Sequence, residues 1–362
     1  MSSKKSTFAI ISGSGSYIPP VILKNSDFED SIFMNEDGSK IDIPGKEIVQ
    51  KFKQITEIEE RRIAKPEHTT SDMGTFAATD AIETSGIDPE ELDYIIFAHN
   101  LGDIKSGSNT SNILPTLASR VKYNLKIKNH KTVAYDITFG CPGWTQAMIQ
   151  ANIYIKAGEA KKILVIGADT ITRSMDPHDR DTMIFGDGAG ATIVEAVESE
   201  KPVGILKHVT RTDTQDYMDL LQMGESFNKE KKGSFHLKMQ GRRLYNYALT
   251  NVPPLAKECL ELNNMTLSDI KKVLIHQANA KMDEAILTRL FRLYGIKKAD
   301  LSVMPMTINT LGNSSVATVP TLYDLIIKGK MEGHELNPGD NIVMTSVGAG
   351  MNINAFVYKI PE

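Results

Sequence analysis

The 362-residue sequence has few cysteines and no excess of basic side chains. Only two cysteines occur, Cys141 and Cys259, which excludes a disulfide scaffold and any all-cysteine metal or iron–sulfur site. The 41 Lys and Arg residues are outnumbered by 45 Asp and Glu residues, so the formal net charge is −4. A dedicated nucleic-acid-binding protein usually shows a basic excess, and nucleic-acid binding is therefore not expected.

Long apolar runs are also missing. Nowhere are there 18 uninterrupted apolar residues, so the sequence predicts no transmembrane helix. The N-terminal segment contains two lysines, but Gly and Ser interrupt its few apolar residues at once, which is too broken for a signal peptide. The hydrophobic fraction of 41% and the charged fraction of 24% are typical of a soluble globular protein. We expect a cytoplasmic protein with reduced cysteines and no membrane association.

The sequence does contain a repeated alternation of short apolar runs and amphipathic stretches, which predict strands and helices respectively. Such alternation indicates an α/β fold in which helices cover a mostly parallel sheet. The two halves of the chain echo one another in this pattern, although no sequence repeat relates them. Strands are predicted at 7–13, 93–100, 132–138, 161–169, 191–197 and 271–279 and as a pair within 341–360. Helices are predicted at 71–86 with Ser71 as the cap, 142–157, 241–261, 281–295 and 316–329, and loops at 28–50 and 209–235.

Two glycine-rich motifs lack the remaining features of nucleotide-binding loops. Gly13-Ser14-Gly15 follows the first predicted strand, yet the third Gly of a dinucleotide fingerprint would fall on Ile18, and two prolines follow where a helix should begin. We interpret this motif as a tight turn. FGDGAGA (185–191) lacks the Lys-Ser/Thr ending of a phosphate loop and runs into a strand. We interpret it as a packing turn that lies close to another backbone.

Cys141 stands between a predicted strand and a predicted helix. Pro142 fits the first helical position, because its missing N–H would have had no partner there. The thiol is then at a helix N-terminus, where free N–H groups and the positive end of the helix dipole favour a partly ionised thiolate. Cys141 is therefore a candidate nucleophile, with an inert core cysteine as the alternative. Cys259 lies among the regularly spaced apolar residues of a predicted helix and is predicted to be such a core residue.

His276 and Asn313 lie in loops where a functional role competes with a structural one. His276 follows the apolar run KVLI, at the carboxyl end of a predicted strand, where open α/β sheets place their sites. The alternative is a histidine that caps the following helix. Asn313 lies in TLGNSSVATVP, a Gly-flanked loop before a helix, and by itself would be interpreted as a turn residue.

Taken together, these segments resemble the β-ketoacyl–acyl-carrier-protein synthase III family of thiolase-like condensing enzymes. The resemblance covers nearly the whole chain and rests on an ordered set of motifs: EERRIA (59–64), NTSNILPTLA (109–118), DITFGCPG (136–143), DPHDRDTMIFGDGAGA (176–191), HQAN (276–279), LGNSSVATVP (311–320) and GAG (348–350). It implies a five-layered α/β/α/β/α fold of two similar halves and a homodimer. The half at 1–197 would carry the nucleophile Cys141, and the half at 198–362 would carry His276 and Asn313.

The resemblance further implies a ping-pong acyltransferase that makes a 3-oxoacyl thioester, as in fatty-acid initiation. Cys141 would take an acyl group from a coenzyme A or carrier-protein thioester. A malonyl-type thioester on acyl carrier protein would then lose carbon dioxide and attack that acyl group. His276 and Asn313 would donate hydrogen bonds to the enolate, and the backbone N–H groups of Cys141 and Gly350 would receive the oxyanion. No metal and no cofactor is expected besides the thioester substrates.

The substrate entrance departs from the pattern of the family. Lys51 stands where its best-known bacterial members carry a tryptophan that stacks on the coenzyme A adenine, whereas Arg180 matches the arginine on the other side of that ring. Leu114 and Trp144 are assigned to the acyl pocket, with Leu114 at the position that reaches into the pocket of the partner subunit. The other residues that the resemblance places at the entrance are Asn246, Lys281, Arg242 and Arg243.

Two other functions remain open on the sequence. A specialised relative in secondary metabolism, which joins unusual acyl chains or forms a resorcinol- or quinolone-type product, would suit the altered adenine clamp and the longer segment before it. A non-catalytic acyl-binding partner subunit is the other alternative. Such subunits commonly lose the nucleophile, and Cys141 is present. A plant-type polyketide synthase usually ends with a Gly-Phe-Gly-Pro-Gly turn, which this sequence lacks.

Overall fold

The computed structural model describes residues 5–108, 110–231 and 233–362. Asn109 in the predicted motif 109–118 and Lys232 in the predicted loop 209–235 lie outside these ranges. The strands of the first half are β1 (Ser6–Tyr17), β2 (Val21–Lys24), β3 (Glu60–Ile63), β4 (Tyr94–Ala98), β5 (Asp103–Ile104), β6 (Ser111–Asn112), β7 (Val133–Ile137), β8 (Lys162–Asp169) and β9 (Gly188–Ser199). Its helices are α1 (Gly45–Thr56), α2 (Thr70–Ser85), α3 (Leu117–Asn124) and α4 (Gly143–Ala157).

The second half contains six strands and four helices among the described residues. Its strands are β10 (Gly204–Thr212), β11 (Leu221–Glu225), β12 (Phe235–Met239), β13 (Lys272–Ile275), β14 (Asn341–Gly348) and β15 (Asn352–Lys359). Its helices are α5 (Gly241–Leu262), α6 (Ala280–Leu293), α7 (Ile308–Leu311) and α8 (Thr318–Ile327). No helix in the described ranges is both long and apolar enough to cross a membrane.

Two mixed sheets with the same topology form the framework. The first has the strand order β1-β9-β8-β4-β7, in which β4 is parallel to β7 and β8, and β9 is antiparallel to β8 and β1. The second has the order β10-β15-β14-β13, in which β13 is parallel to β14, and β15 is antiparallel to β14 and β10. Matching β1, β9, β8 and β4 to β10, β15, β14 and β13 preserves both order and direction. The predicted structural echo between the halves is confirmed.

The helices complete five layers. Helices α4 and α8 lie between the two sheets and contact strands of both. Helices α2 and α3 cover the outer face of the first sheet, while α5 packs on the second sheet with α6 beside it. Buried residues occur on every side of α4, as expected for a helix enclosed by two sheets. The predicted α/β/α/β/α fold is therefore confirmed. The division at residues 197 and 198 stays a prediction, and it falls just before the end of β9 at Ser199.

The predicted helices and strands agree with the structure to within a few residues at most of their ends, but four local interpretations are wrong. Gly13 and Gly15 do not form a turn; both lie within β1. A β-carbon at Gly13 would lie 2.4 Å from the carbonyl oxygen of Ala81, so these glycines allow α2 to approach the strand. Helix α2 begins at Thr70, one residue before the predicted start. Its N-cap is Thr69 and not Ser71, and the Thr69 side chain accepts a hydrogen bond from the Asp72 N–H.

The two segments predicted as loops also contain regular structure. Residues 28–50 end in the first turns of α1, in which Ile48 and Val49 face the core. Residues 209–235 contain the end of β10 and most of the β11–β12 hairpin, which pairs from Leu221 with Met239 to Glu225 with Phe235. By contrast, FGDGAGA does lie against another backbone, because a β-carbon at Gly186 would be 2.3 Å from the Leu311 carbonyl oxygen. From Gly188 onward this motif is strand β9.

Candidate active site

Cys141 lies in the short connection between β7 and the central helix α4. Gly140 makes the turn with a φ of +67°, which is a conformation that favours glycine, and the Gly143 N–H donates to the Gly140 carbonyl at 2.9 Å. Pro142 is the N-cap of α4 rather than its first helical residue as predicted, so the helix begins one residue later. The thiol nevertheless stands at the helix N-terminus, and only 8% of the residue is exposed.

Burial changes the expected ionisation of this thiol. Desolvation raises the pKa of Cys141 to about 12; the Ser315 hydroxyl opposes this shift, and the charge of Asp169 adds to it. The prediction of a partly ionised resting thiol is therefore wrong, because removal of water from the thiolate outweighs the helix N-terminus. The thiol is therefore protonated at neutral pH.

His276 follows β13 directly, as predicted for a residue at the carboxyl end of a strand. Its backbone N–H donates to the Thr345 carbonyl on β14 at 3.0 Å. Burial lowers the pKa of His276 to about 4, so the imidazole is neutral at pH 7. Its ring Nδ1 has no hydrogen-bond partner among the described residues. The helix-cap alternative is wrong, because the side chain of Asn279 caps α6 by accepting from the Met282 N–H.

Asn313 belongs to a loop that is attached to the first half of the chain. Its N–H donates to the Ile184 carbonyl at 2.8 Å, and its own carbonyl accepts from the Gly186 N–H at 2.9 Å. The side-chain Oδ1 accepts from the Ser315 N–H at 2.9 Å, so the side-chain amide nitrogen is the part of this group that can still donate. FGDGAGA thus holds the loop that carries Asn313.

Ser315 brings the three predicted catalytic residues together. Its hydroxyl donates to the Sγ of Cys141 at 3.6 Å, and its backbone N–H donates to Asn313. The backbone of Ser315 also interacts with the ring of His276 and opposes the fall in the pKa of that ring. Cys141 and Asn313 come from the loops that precede the two central helices, whereas His276 comes from the second sheet. Residues that are distant in sequence therefore meet around one buried serine.

The predicted oxyanion site lies on two turns that pack against each other. A β-carbon at Gly348 would be 2.5 Å from the backbone nitrogen of Cys141, and one at Gly140 would be 2.7 Å from the nitrogen of Ala349. Gly350 has a φ of +75° and so adopts a turn conformation that other residues rarely take. The roles of the Cys141 and Gly350 N–H groups stay predictions.

A cavity of about 580 Å³ opens beside this site. Lys51, Arg180 and Arg242 all line it, so three of the predicted entrance residues share one rim. The cavity also reaches Ile184, which is hydrogen-bonded to Asn313, and Ala278, which lies two residues after His276. Most of its wall is apolar and includes Ile43, Ile48, Phe52, Ile55, Met183, Met239, Leu244 and Met282.

The other predicted entrance residues lie elsewhere. Lys281 lines a neighbouring depression on the far side of α1, together with Lys53 and Glu59. Arg243 turns toward the β11–β12 side, where it donates to Gln240 at 2.6 Å and to Asp219 at 3.4 Å. Asn246 is exposed on α5. These three positions therefore do not share the rim of the cavity, and their substrate contacts stay predictions.

The two residues assigned to the acyl pocket differ sharply in their surroundings. Leu114 is 80% exposed. Trp144 is only 1% exposed, and its ring lies 6.4 Å from that of Phe356 within the core between the sheets. Neither assignment is tested by these positions.

Sequence reasoning missed Ser315, Asn100 and Asp169, which stand behind the thiol. The Asn100 amide donates to Asp169 at 2.6 Å and to the Ser315 hydroxyl at 2.7 Å. A signal was present, because Asp169 ends β8 and Asn100 follows β4, and these two strands are parallel neighbours. Polar residues at the carboxyl ends of adjacent parallel strands meet at the same edge of a sheet.

Comparison with known proteins assigns the family. The protein-family model described as 3-oxoacyl-[acyl-carrier-protein] synthase III matches residues 135–214, and the family model of its C-terminal part matches residues 260–360. Beta-ketoacyl-[acyl-carrier-protein] synthase III 1 of Vibrio vulnificus is 35% identical over 344 residues, which cover 95% of this chain and 96% of that protein. The chain belongs to the 3-oxoacyl-[acyl-carrier-protein] synthase III family. The predicted resemblance is thereby confirmed.

Solved structures of the family agree in fold over nearly the full length. The 3-oxoacyl-(acyl carrier protein) synthase III of Pseudomonas aeruginosa is 25% identical, with a TM-score of 0.80 over 98% of this chain and 99% of that one. A priming β-ketosynthase of a polyketide biosynthetic pathway is 26% identical, with a TM-score of 0.79 over 100% of this chain and 98% of that one. Cys141 falls within the first matched pattern, and His276 and Asn313 fall within the second.

Proposed function

We propose that the chain is a decarboxylative condensing enzyme that joins an acyl thioester to a malonyl thioester carried by acyl carrier protein and releases a 3-oxoacyl thioester. Convergence of Cys141, His276 and Asn313 on Ser315, in a chain of the synthase III family, carries this proposal. A nucleophile and two neutral hydrogen-bond donors are the groups that this chemistry needs.

In the first half-reaction, the Sγ of Cys141 attacks the carbonyl of the acyl thioester. The carbon–sulfur bond to the leaving thiol breaks, and the proton of the Cys141 thiol ends on that leaving thiol. The backbone N–H groups of Cys141 and Gly350 stabilise the negative oxygen of the tetrahedral intermediate. A buried thiol suits this step, because the site excludes the water that would otherwise hydrolyse the acyl-enzyme.

In the second half-reaction, the malonyl thioester loses carbon dioxide and becomes an enolate. The side chains of His276 and Asn313 donate hydrogen bonds to the enolate oxygen, while the enolate carbon attacks the acyl group on Cys141. The Cys141 thiolate then leaves and takes up a proton. With a pKa of about 4, His276 is neutral at pH 7, and a neutral imidazole keeps one ring N–H that can donate.

The cavity supports thioesters of coenzyme A and of acyl carrier protein as substrates. Its apolar wall suits a pantetheine arm and an acyl chain, while Lys51, Arg180 and Arg242 place positive charge at the rim. Such charge complements coenzyme A phosphates and an acidic carrier protein alike. The chemistry proposed here uses only protein groups and the two thioesters.

We also propose that the chain acts as a homodimer. Strand β7 is at the edge of the five-stranded sheet, and Val133 on this strand is 48% exposed. Tyr123 on the adjacent helix α3 is 83% exposed, and Leu114 lies just before that helix. An exposed edge strand flanked by apolar side chains favours pairing with a second copy. Sedimentation velocity should therefore show a dimer; a single monomeric species would contradict this proposal.

A specialised condensing enzyme of secondary metabolism is the second candidate. The polyketide priming β-ketosynthase matches this structure as closely as the 3-oxoacyl-[acyl-carrier-protein] synthases III of Aquifex aeolicus and Pseudomonas aeruginosa do, with a TM-score of 0.79 against 0.78 and 0.80. The test is incubation with malonyl-carrier protein and a panel of acyl-coenzyme A primers, followed by mass spectrometry of products. A 3-oxoacyl-carrier protein supports the leading proposal; a cyclic or unusual product favours the second candidate, and no product with any primer contradicts both.

A further inference from the structure

Three polar side chains from separate elements form a chain behind the candidate nucleophile. Asp169 ends β8, Asn100 follows β4, and Ser315 lies between Asn313 and α8. Asp169 and Ser315 are each 1% exposed. None of the three has been given a role in the steps of the condensation, yet the Ser315 hydroxyl contacts the sulfur of Cys141. Buried polar groups of this kind require an explanation.

Hydrogen bonds connect Asp169 to Cys141 through Asn100 and Ser315. The Asn100 backbone N–H donates to one carboxylate oxygen of Asp169 at 2.8 Å, and its amide nitrogen donates to the other at 2.6 Å. This pairing sets the orientation of the amide. The second N–H of the same amide donates to the Ser315 hydroxyl at 2.7 Å. The Ser315 oxygen accepts from Asn100, so its own proton can be donated to Cys141 Sγ, 3.6 Å away. The Asp169 carboxylate is a second acceptor within reach of this hydroxyl, and a negative charge on Cys141 favours donation to the sulfur.

The backbone of Ser315 is held in an uncommon conformation. Its φ is +56°, in the left-handed region that residues other than glycine, asparagine and aspartate rarely adopt. The N–H bond to Asn313 Oδ1 keeps the residue there. Such strain persists only where the surrounding structure enforces it, and it is concentrated at functional sites. The adjacent serine makes a useful contrast: Ser314 is also buried, but its hydroxyl pairs with Thr318.

We propose that Ser315 is a further catalytic residue, whose hydroxyl stabilises the thiolate of Cys141, and that Asn100 and Asp169 are positioning residues that aim this hydroxyl. The inference rests on the proposed role of Cys141 as nucleophile. Thiolate character develops at Cys141 twice, during attack on the thioester and when the sulfur leaves in the condensation step. A hydrogen bond to a charged acceptor is about twice as strong as one to a neutral acceptor, so the donor contributes most at these two points.

The test is the rate at which iodoacetamide alkylates Cys141 at pH 8, followed by intact-protein mass spectrometry. This reaction needs the thiolate but neither thioester. Loss of one hydrogen bond to a charged group predicts about a tenfold slower rate for Ser315→Ala. Asn100→Ala should fall between this variant and the parent, because the Ser315 hydroxyl is then free to rotate. Ser314→Ala should react as the parent does.

A second variant separates a hydroxyl effect from a packing effect. Ser315→Thr keeps the hydroxyl but puts a β-branched residue at a positive φ, so it should unfold at a lower temperature than Ser315→Ala. Our proposal predicts that Ser315→Thr nevertheless reacts faster than Ser315→Ala. The inference is overturned if Ser315→Ala reacts at the parent rate, or if the threonine variant is the slower of the two. A protein that is not acylated by any thioester while its alkylation rates follow these expectations would instead contradict the proposed function.

Discussion

Gly348 and Cys141 are packed so closely that a β-carbon on the glycine would lie 2.5 Å from the backbone nitrogen of the cysteine. The φ of Gly348 is −171°, which is extended backbone that any residue adopts, so only the lack of a side chain explains this glycine. Gly348 ends β14 in the second half, and Cys141 lies just before the central helix α4 of the first half. This contact therefore sets how the two halves meet at the nucleophile.

Gly348→Ala should displace the nucleophile turn and strongly reduce acylation of Cys141. The matched control is Gly339→Ala, where the φ is +86° and no atom lies within 4 Å of the added carbon. That control should cost about 1–2 kcal/mol in stability, because alanine is disfavoured at a positive φ, and should leave acylation unchanged. Acyl-enzyme formation in both variants is followed by intact mass, and normal acylation of Gly348→Ala would show that the close packing has no functional consequence.

His276→Ala and Asn313→Ala should separate the two half-reactions. Each removes one donor to the enolate, which predicts a loss of about 10²–10³-fold in decarboxylation of the malonyl thioester. Some acylation of Cys141 should persist, because the oxyanion donors of that step are backbone groups. Release of labelled carbon dioxide measures the effect, with the exposed Asn309→Ala as the control. A normal release rate in either active-site variant would rule out the enolate-stabilising role.

The low pKa of His276 predicts a dependence of stability on pH. Burial lowers its pKa to about 4 from the usual 6.5, so as the pH falls below 6.5 the unfolded chain binds a proton before the folded one does. The stability that this group confers is lost between these two values as the pH decreases, and the loss from pH 7 to pH 5 is about 2 kcal/mol.

His276→Asn removes this titration. The free energy of unfolding of the parent, minus that of the variant, should fall by about 2 kcal/mol between pH 7 and pH 5. Urea unfolding of both proteins at the two pH values measures this difference. An unchanged difference would mean that His276 is solvated, with an ordinary pKa.

Two adjacent arginines on α5 provide a matched test of carrier-protein docking. The sequence predicted that both lie at the entrance, but only Arg242 lines the cavity, whereas Arg243 is bonded to Gln240 and Asp219. Arg242→Glu should lower turnover with malonyl-carrier protein several-fold and flatten its salt dependence, because rim charge acts mainly on association. Arg243→Glu should have a smaller effect.

Turnover of an N-acetylcysteamine thioester distinguishes docking from damage to the site. This small substrate carries no acidic protein, so its turnover should be the same in Arg242→Glu as in the parent. Equal losses with the small thioester and with the carrier protein would mean that the substitution disturbs the fold or the active site, and the docking hypothesis would fail.

The sequence predicted most accurately the strands and site residues that have a strong local sequence pattern. Runs such as KKILVIGAD are buried on both faces of the sheet and so are almost continuously apolar, which made β8 predictable. Cys141 and His276 were found because a strand end precedes each of them. The β11–β12 hairpin was missed because its strands are only five residues long and lie in a polar stretch, although FHLKM (235–239) alternates apolar and polar residues.

Other features depend on contacts between residues that are far apart in the sequence, and no local pattern predicts such contacts. The contact of Ser315 with Cys141 joins residues 174 positions apart, and a resting thiol with a pKa of about 12 follows from the burial produced by both halves of the chain. Likewise, only the three-dimensional arrangement distinguishes Arg242 from Arg243. Local sequence therefore located the candidate nucleophile, while its ionisation and its hydrogen-bond partner required the structure.

The most direct test of our account is intact-protein mass spectrometry after incubation with an acyl-coenzyme A primer. The parent protein should gain the mass of one acyl group, and peptide mapping should place that group on Cys141. Cys259→Ala should be acylated in the same way, because Cys259 is a fully buried residue of α5. Cys141→Ala should gain no mass, and an acyl group attached to this variant would contradict the assignment of Cys141 as the nucleophile.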